Sequence, residues 1–393
     1  MKIYIINPMS DLKIIADEKI PFLSELFSTL GIIDTLPASE INQKNIRNYD
    51  VLFVRTVTKV NDKLLEGTKI KIIGSMTSGI DHIDRNYLRK NRIKLLYAPG
   101  SNSRSVAEYV IASLLVIAKI KNFSLERKTV GIIGAGNVGT KVAQMCEAIG
   151  MRVLLNDPPK YNRTKNKKYL SFRRFSDADI ITLHIPLTFR GKYKTFHLID
   201  EEFLSSIKQG TILINTSRGA VIDERMLIKF YKRLGGLILD VWENEPDINI
   251  DLLKIADIAT PHIAGYSLDG KFNASYIVYK NLCRILKIKP IIRKNDVFPE
   301  INEEKDVLIT QNDIFKTLYR TILQIYNPLN DHKKLFKMIG FEPLARRKYF
   351  EDLRRNYPVR REFPNYMLRI CERLSSLQKL VEIFRSLGFK IKV

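Results

Sequence analysis

Three residues suited to acid–base and anion chemistry, Arg218, Glu245 and His262, each follow a short apolar run in the second half of this 393-residue chain. The runs are Thr211–Ser217, Leu237–Trp242 and Asp257–Thr260. Short β-like runs alternating with helical stretches predict parallel strands joined by crossover helices. In such sheets ligands bind beyond the carboxyl ends of the strands. A fixed cation, a carboxylate and an imidazole therefore meet at one edge. That set can hold an anionic substrate, tune a histidine and move a proton. His262 alone would read equally well as a structural residue; its company is what points to chemistry. His82, His184, His197 and His332 have no such company and read as structural or surface histidines. Asp240 and Glu243 fit capping or surface positions as well as functional ones.

The same sheet carries a dinucleotide signature. Thr129–Ile133 is a buried-strand pattern that runs into Gly134-Ala-Gly-Asn-Val-Gly139. A helix is predicted from about Asn137 to Ile149, with Val142, Met145, Cys146 and Ile149 at helical spacing and Gly150 as its C-cap. The next strand, Met151–Leu155, leads to Asp157, 18 residues after Gly139. Gly134 permits the tight turn, and Gly136 lets the backbone approach a pyrophosphate. Gly139 lets helix and strand pack closely, and the helix start at Asn137 and Val138 attracts the phosphates. Asp157 can accept hydrogen bonds from a ribose 2′-hydroxyl and would repel a 2′-phosphate. Pro158 and Pro159 follow it and no arginine adjoins it, which favours NAD over NADP. A glycine motif alone is a weak signal; strand, helix and acid in register make it specific.

Length and composition set the bounds. A chain this long forms two or three domains, each with its own core. Hydrophobic content of 45% with dispersed charge indicates a globular protein. The longest apolar stretch, Tyr109–Ala118, is too short to span a bilayer, and the N-terminus shows no signal-peptide pattern. Three scattered cysteines, Cys146, Cys283 and Cys371, make neither a disulfide framework nor a metal site. They fit a reducing cytoplasm and small buried apolar roles. The net charge of +23 raises nucleic-acid binding as a reading. Yet residues 291–393 hold +8 of it and the other 290 hold +15, so no basic arm exists. Enrichment in Lys, Ile, Asn and Tyr, whose codons are A/T-rich, accounts for the charge without a nucleic acid.

Along the chain, Lys13–Ala16, Val51–Val54 and Ile70–Ile73 read as strands of a first domain. A long apolar helix, about Ser105–Lys119, leads into the dinucleotide domain; Asn102, Ser103 and Ser105 are candidate caps. A second helix, about Gly270–Leu286, could return to the first domain. The region from Lys289 mixes strands (306–309, 365–370, 389–393) with helices (313–325, 330–339, 372–387). Leu374, Leu377, Val381 and Phe384 form a stripe on the last helix. The layout is 1–96 plus 263–288 for substrate, 97–262 for NAD, and 289–393 as a C-terminal domain. The class is α/β with a Rossmann-type doubly wound parallel sheet.

These passages resemble the D-isomer-specific 2-hydroxyacid dehydrogenase family. The Arg218-Gly, Glu243-Asn-Glu245-Pro and late His262 motifs belong to the whole family. Val54-Arg-Thr-Val-Thr58, Asp157-Pro-Pro159, His262-Ile-Ala-Gly-Tyr266, Phe350–Tyr357 and Arg360-Arg-Glu362 are similar to its phosphoerythronate branch. The resemblance runs from about Lys13 to the end, and twelve residues precede it. It implies a flavodoxin-like substrate domain, a C-terminal α/β dimerisation domain and a homodimer. It implies NAD-dependent oxidation of 4-phospho-D-erythronate at its 2-hydroxyl, in vitamin B6 synthesis. Same-fold rivals act on phosphoglycerate or glyoxylate; an NAD(H)-sensing partner protein is a rival of another class, which the intact triad disfavours.

Position by position, the resemblance implies that His262 exchanges the hydroxyl proton and Glu245 holds its imidazole. Arg218 would hold the substrate carboxylate. Ser217, Asp240 and Gly265 would contact the cofactor, and Thr56, Thr77 and Tyr266 the substrate. The phosphate end needs a second cation, because an unpartnered dianion is costly to desolvate. Arg55 is the first candidate; Arg346, Arg347, Arg354, Arg360 and Arg361 are weaker ones. On composition alone Arg360-Arg361 reads as a solvated face.

Overall fold

The computed structural model describes residues 11–298, 301–308, 313–370 and 377–392. The chain divides into two compact units, residues 1–102 with 268–300, and 103–267 with 301–393. No helix among the described residues is long and apolar enough to cross a membrane.

The first unit is built on β1 (Lys13–Asp17), β2 (Ile32–Leu36), β3 (Val51–Val54), β4 (Ile72–Ser75) and β5 (Lys94–Tyr97). They form one parallel sheet in the order β2-β1-β3-β4-β5, the flavodoxin-like order. A parallel sheet must be covered on both faces, and alternate residues of each strand go to opposite cores. Ile14, Val51, Phe53, Ile72 and Leu96 face one cluster with Phe272, Val278, Tyr279 and Leu282 of helix Leu268–Leu286. Ile15, Leu52, Val54 and Ile73 face the other, with Ile46, Leu65 and Leu88. Helix Leu268–Leu286 packs in this unit although it follows the second sheet in sequence.

The second unit holds β6 (Thr129–Ile133), β7 (Arg152–Asn156), β8 (Ile180–Leu183), β9 (Ile212–Asn215), β10 (Gly236–Leu239) and β11 (Ile258–Ala259). This sheet is also parallel, in the order β11-β10-β9-β8-β6-β7. A single bridge, Leu155 to Tyr169, lies outside β7, where a full Rossmann sheet carries one more strand. The alternation is strict. Val130, Ile132, Ile180, Ile212, Ile214 and Ile238 pack on helix Ser103–Ile120, which is buried from Ser105 to Ala118. Ile133, Ile181, Leu183, Leu213, Leu237 and Leu239 face the opposite cluster.

The region after residue 300 adds β12 (Glu303–Asp306), β13 (Tyr366–Arg369) and β14 (Lys390–Lys392), a parallel sheet in that order. β12 has no apolar residue. It pairs with β13 from Glu303↔Tyr366 to Asp306↔Arg369, and charge holds it there: Arg369 reaches Glu304 at 3.0 Å and Asp306 at 2.8 Å. The first strand of this region therefore lies earlier than the apolar run at 306–309 suggested, and Ile309 is outside the described residues.

The sequence predicts a C-terminal domain of its own over 289–393. In the structure, residues 301–393 and 103–267 make up one compact unit, and residues 289–300 go with the first. The physical reason is shared core. Leu318, Ile322, Phe363, Leu368, Phe384 and Leu387 complete the cluster around helix Ser103–Ile120. Leu335, Met338 and Phe350 complete the cluster on the other face of the sheet. The edge strand β11 is capped by the same region: His332 Nδ1 accepts from the Ala259 N–H at 3.1 Å. An open edge strand is thereby covered. A helix not read from the sequence, Pro343–Arg355, lies here. The last helix is described as Leu377–Leu387; Leu374, Cys371 and the first ten residues of the chain lie outside the described residues.

Candidate active site

The glycine loop stands between β6 and helix Asn137–Ala148, where the sequence placed it. Gly139 must be glycine: a Cβ there would sit 1.9 Å from the Gly134 carbonyl oxygen, so any side chain would push the helix off the strand. Gly134 has φ +96°, and its N–H donates to Asn156 O at 2.8 Å. Gly136 is different, for a Cβ there would meet nothing within 4 Å. The backbone is open on that side, and no side chain caps the helix start. The N–H groups of Asn137, Val138 and Gly139 thus fit a pyrophosphate, as helix N-termini do.

Asp157 ends β7 and also braces this loop. Its Oδ2 accepts from Ala135 N at 3.1 Å and its Oδ1 from Lys160 N at 3.0 Å. Lys160 Nζ in turn donates to Ala135 O. A carboxylate held at this point can accept from a ribose diol and repels a 2′-phosphate. Asp157→Ala should weaken NAD binding and narrow its preference over NADP, measured as kcat/KM with each. Equal use of both cofactors by the unmutated protein contradicts the assignment.

At the sheet's other strands the triad is built in two parts. Arg218 follows β9. Its Nη1 donates to Ser217 O at 2.7 Å, while Asn215 Oδ1 accepts from the N–H of Ser217 at 3.0 Å and Asn215 Nδ2 donates to Arg218 O at 2.9 Å. The next residue, Gly219, presses on the peptide after β10: a Cβ there would lie 1.8 Å from Trp242 C. Only glycine allows that approach, and it ties the Arg218 turn to the segment that carries Glu245.

His262 has φ 57°, a left-handed backbone that costs energy for a non-glycine residue and must be held by its surroundings. Asp240 holds it. This 1%-exposed carboxylate accepts from Thr260 Oγ1 at 2.6 Å, Ile263 N at 2.8 Å and Ala264 N at 3.0 Å. The Asp240 carbonyl accepts from His262 N at 2.7 Å. Asp240 thus braces the histidine loop from beneath and is no surface acid. Burial pushes its carboxyl up, more than His262 and the three donors pull it down.

His262 Nδ1 meets Glu245 Oε2 at 2.7 Å, and Glu245 Oε1 accepts from Trp242 N at 3.0 Å. Burial would raise the Glu245 carboxyl. The charge and hydrogen bond of His262, then Arg354 and the Trp242 N–H, outweigh this and hold it below the usual carboxylate range. The pair can therefore store a proton on the imidazole while Glu245 stays ionised. His262 Nε2 has no partner among the described residues, and the side chain is 33% exposed. It is free to meet a substrate hydroxyl. Tyr266 follows on the same loop, its N–H donating to Ile263 O at 2.8 Å, with Gly265 just before it.

In the first unit, Arg55, Thr56 and Thr77 lie just beyond the carboxyl ends of β3 and β4. Arg55 Nε donates to the fully buried Asp17 at 2.9 Å, and the guanidinium stays 31% exposed. Thr77 Oγ1 donates to Gly79 O at 2.7 Å and meets Ser75 Oγ at 2.6 Å; Ser75 in turn contacts His82 Nε2 at 3.2 Å.

Two other histidines of this unit have partners of their own. Burial pushes His184 down to about 3, so it stays neutral between Thr182 and Thr216. His197 pairs with Glu243 at 2.9 Å.

The C-terminal arginines require a correction. Arg360 is not on a solvated face. It is 7% exposed, its Nη2 donates to Ser105 O and to Ala264 O at 3.0 Å, and it stacks 4.2 Å from the Tyr326 ring centre. Charge in a sequence does not show that carbonyls and a ring await it. Arg361 is spent on Asn365, Arg346 on Ile339 O and Arg347 on Asp247. Arg354 lies 5.8 Å from the Tyr266 ring centre, and its charge acts on Glu245.

The chain is similar to proteins of known family. Residues 115–264 match the family described as D-isomer specific 2-hydroxyacid dehydrogenase, NAD binding domain, and residues 300–383 match one described only as a domain of unknown function. Erythronate-4-phosphate dehydrogenase of Photorhabdus laumondii is 38% identical over 386 residues, 97% of this chain and 100% of its own length. That of Hydrogenovibrio crunogenus is 39% identical over 353 residues, 90% and 92% of the two. Among solved structures, D-lactate dehydrogenase from Aquifex aeolicus, complexed with NAD and lactic acid, aligns with TM-score 0.60 at 28% identity, covering 70% of this chain and 95% of that one. NAD⁺-bound 3-phosphoglycerate dehydrogenase of Entamoeba histolytica aligns with TM-score 0.60 at 25% identity, covering 72% and 99%. The protein is an oxidoreductase with NAD as its cofactor. The chain belongs to the erythronate-4-phosphate dehydrogenase family, within the D-isomer specific 2-hydroxyacid dehydrogenases.

Proposed function

We propose that this protein oxidises 4-phospho-D-erythronate at its 2-hydroxyl, giving 3-hydroxy-2-oxo-4-phosphooxybutanoate, as the vitamin B6 step its resemblance implies. The observation that carries the chemistry is the 2.7 Å contact of His262 Nδ1 with a Glu245 carboxylate held ionised. NAD, held at the glycine loop and by Asp157, would supply the acceptor for the hydride of C2. His262 Nε2 takes the hydroxyl proton, and the charge that forms on the ring sits against Glu245. Arg218 holds the substrate carboxylate and draws electron density toward the oxygen at C2. Thr56, Thr77 and Tyr266 complete the substrate contacts; Ser217 and Gly265 contact the cofactor.

Arg55 holds the phosphate. Lys271, on helix Leu268–Leu286 of the same unit, supports this: burial and then the charge of Arg55 push its ammonium below the usual lysine range. Two cations that feel each other's charge are stabilised by an anion. Arg55→Ala should cost on the order of 2–4 kcal/mol of discrimination between phosphorylated and unphosphorylated erythronate, the scale of a partly buried charge-assisted contact. Arg55→Lys keeps a cation for Asp17 and separates phosphate binding from folding. An equal loss on both substrates makes Arg55 structural.

The protein acts as a homodimer through its C-terminal region. Leu344 and Val359 support this, being 87% and 77% exposed there. The core of a dimer interface is apolar and would cover these two side chains. Leu344→Glu with Val359→Glu should convert a sedimenting dimer into a monomer. A monomeric unmutated protein at micromolar concentration contradicts the assignment. The cytoplasm is its compartment, a reading supported by the free buried thiols of Cys146 and Cys283; burial pushes Cys146 up to about 12.

A further inference from the structure

The C-terminal region touches the catalytic loop directly. Helix Pro343–Arg355 is seated on the sheet by Phe350, fully buried, with Tyr349 and Leu353 beside it. It lies against the segment that carries Glu245, since Arg347 reaches Asp247 at 3.0 Å. In its last turn, Arg354 faces Tyr266, with the guanidinium carbon 5.8 Å from the ring centre. Tyr357 also packs edge-on against Tyr266, the ring centres 5.8 Å apart. The Nε of Arg354 is buried and has no hydrogen-bond partner among the described residues. A guanidinium kept there at that expense is held for its charge or its remaining donors. Further along, Arg360 donates to Ala264 O and Glu362 accepts from Ser267 Oγ at 3.3 Å. The loop 262–267 is thus gripped by Asp240 from the sheet and by the C-terminal region from outside.

We propose that Arg354 is a positioning residue for proton transfer: it fixes Tyr266 and sets a permanent positive charge beside the His262–Glu245 pair of its own chain. This rests on that pair being the acid–base centre, as argued above. Among the described residues of this unit, groups whose charge acts on the pair include Asp240 under the loop, Glu224 at the start of helix Glu224–Phe230, and Arg354, with Tyr266 beside Arg354 and Arg218 the third member of the triad. Asp240 and Glu224 favour a protonated imidazole. Arg354 opposes it, and so keeps His262 ready to accept the hydroxyl proton.

The sign follows. Removing the cation favours imidazolium, so oxidation, which requires neutral imidazole, must need a higher pH. Arg354→Gln and Arg354→Lys should be compared with the unmutated protein for kcat and KM against pH, using NAD and 4-phospho-D-erythronate. For Arg354→Gln the acid limb of kcat should move up by about 1–2 pH units, the scale of one charge roughly 6 Å away at an effective dielectric of about 20–40. Its kcat should fall about tenfold, as expected when a contact that orients a catalytic group is lost, while KM for NAD is unchanged. Arg354→Lys, which keeps the charge and loses the fork, should leave the limb in place and lower kcat less. An unmoved limb in a folded Arg354→Gln protein overturns the proposal. So does loss of cooperative melting in both variants, which would make Arg354 a residue of the fold. If the unmutated protein does not turn over phosphoerythronate or any 2-hydroxy acid, the functional reading fails instead.

Discussion

Replacing His262 with Gln should lower kcat by about 10²–10⁴-fold, the usual scale for a general acid–base group. Nε2 is the ring atom open to substrate, and Gln has no group that can accept and return a proton at neutral pH. NADH binding should change little, because its diphosphate and ribose fall to the glycine loop and Asp157, built on β6 and β7 and untouched by the substitution. In the unmutated enzyme kcat for oxidation should rise with pH as the imidazole becomes neutral, and this acid limb should vanish in the variant. Near-normal turnover by a folded His262→Gln protein would remove the residue from the mechanism.

A chain ending at Phe298 should not yield a folded monomer. Eight C-terminal side chains, Leu318, Ile322, Leu335, Phe350, Phe363, Leu368, Phe384 and Leu387, are at most 4% exposed in the cores of the second unit. Without them, a comparable apolar area on helix Ser103–Ile120 and on both sheet faces enters water. At roughly 1.5–3 kcal/mol per buried large side chain, that matches or exceeds the roughly 5–15 kcal/mol stability of a whole domain. The truncated chain should be insoluble, or soluble without a cooperative melt. A truncated monomer that melts cooperatively and binds NADH would show the C-terminal region to be an independent domain.

The parts legible in the sequence are those where local pattern and function coincide. β6, the glycine loop and Asp157 lie within 29 consecutive residues, so each short-range rule reinforces the next. Arg218, Glu245 and His262 stand out because each follows a strand of a parallel sheet, where position along the chain sets position at the edge. What stayed hidden depends on distant partners. β12 is Glu-Glu-Lys-Asp, a strand made by Tyr366–Arg369 beside it and by ion pairs with Arg369 and Lys392. Helix Pro343–Arg355 carries only a narrow apolar face among charged residues, and Leu344 is exposed, so its periodicity is faint. Arg360 reads as solvated until Tyr326, Ser105 O and Ala264 O are brought to it. Asp240 could be assigned to no single role from sequence, because its three donors lie some twenty residues away on a loop whose shape depends on it.

The central claim is a hydride-transferring dehydrogenase whose substrate is a 2-hydroxy acid with a phosphate at its far end. It is tested most directly by NADH absorbance on adding NAD with 4-phospho-D-erythronate, unphosphorylated erythronate, 3-phosphoglycerate and glycerate in turn. The account predicts the highest kcat/KM for phosphoerythronate, with unphosphorylated erythronate lower by on the order of 10²-fold, as loss of a charge-assisted phosphate contact implies. Equal turnover of the two erythronates, or preference for phosphoglycerate, would contradict it.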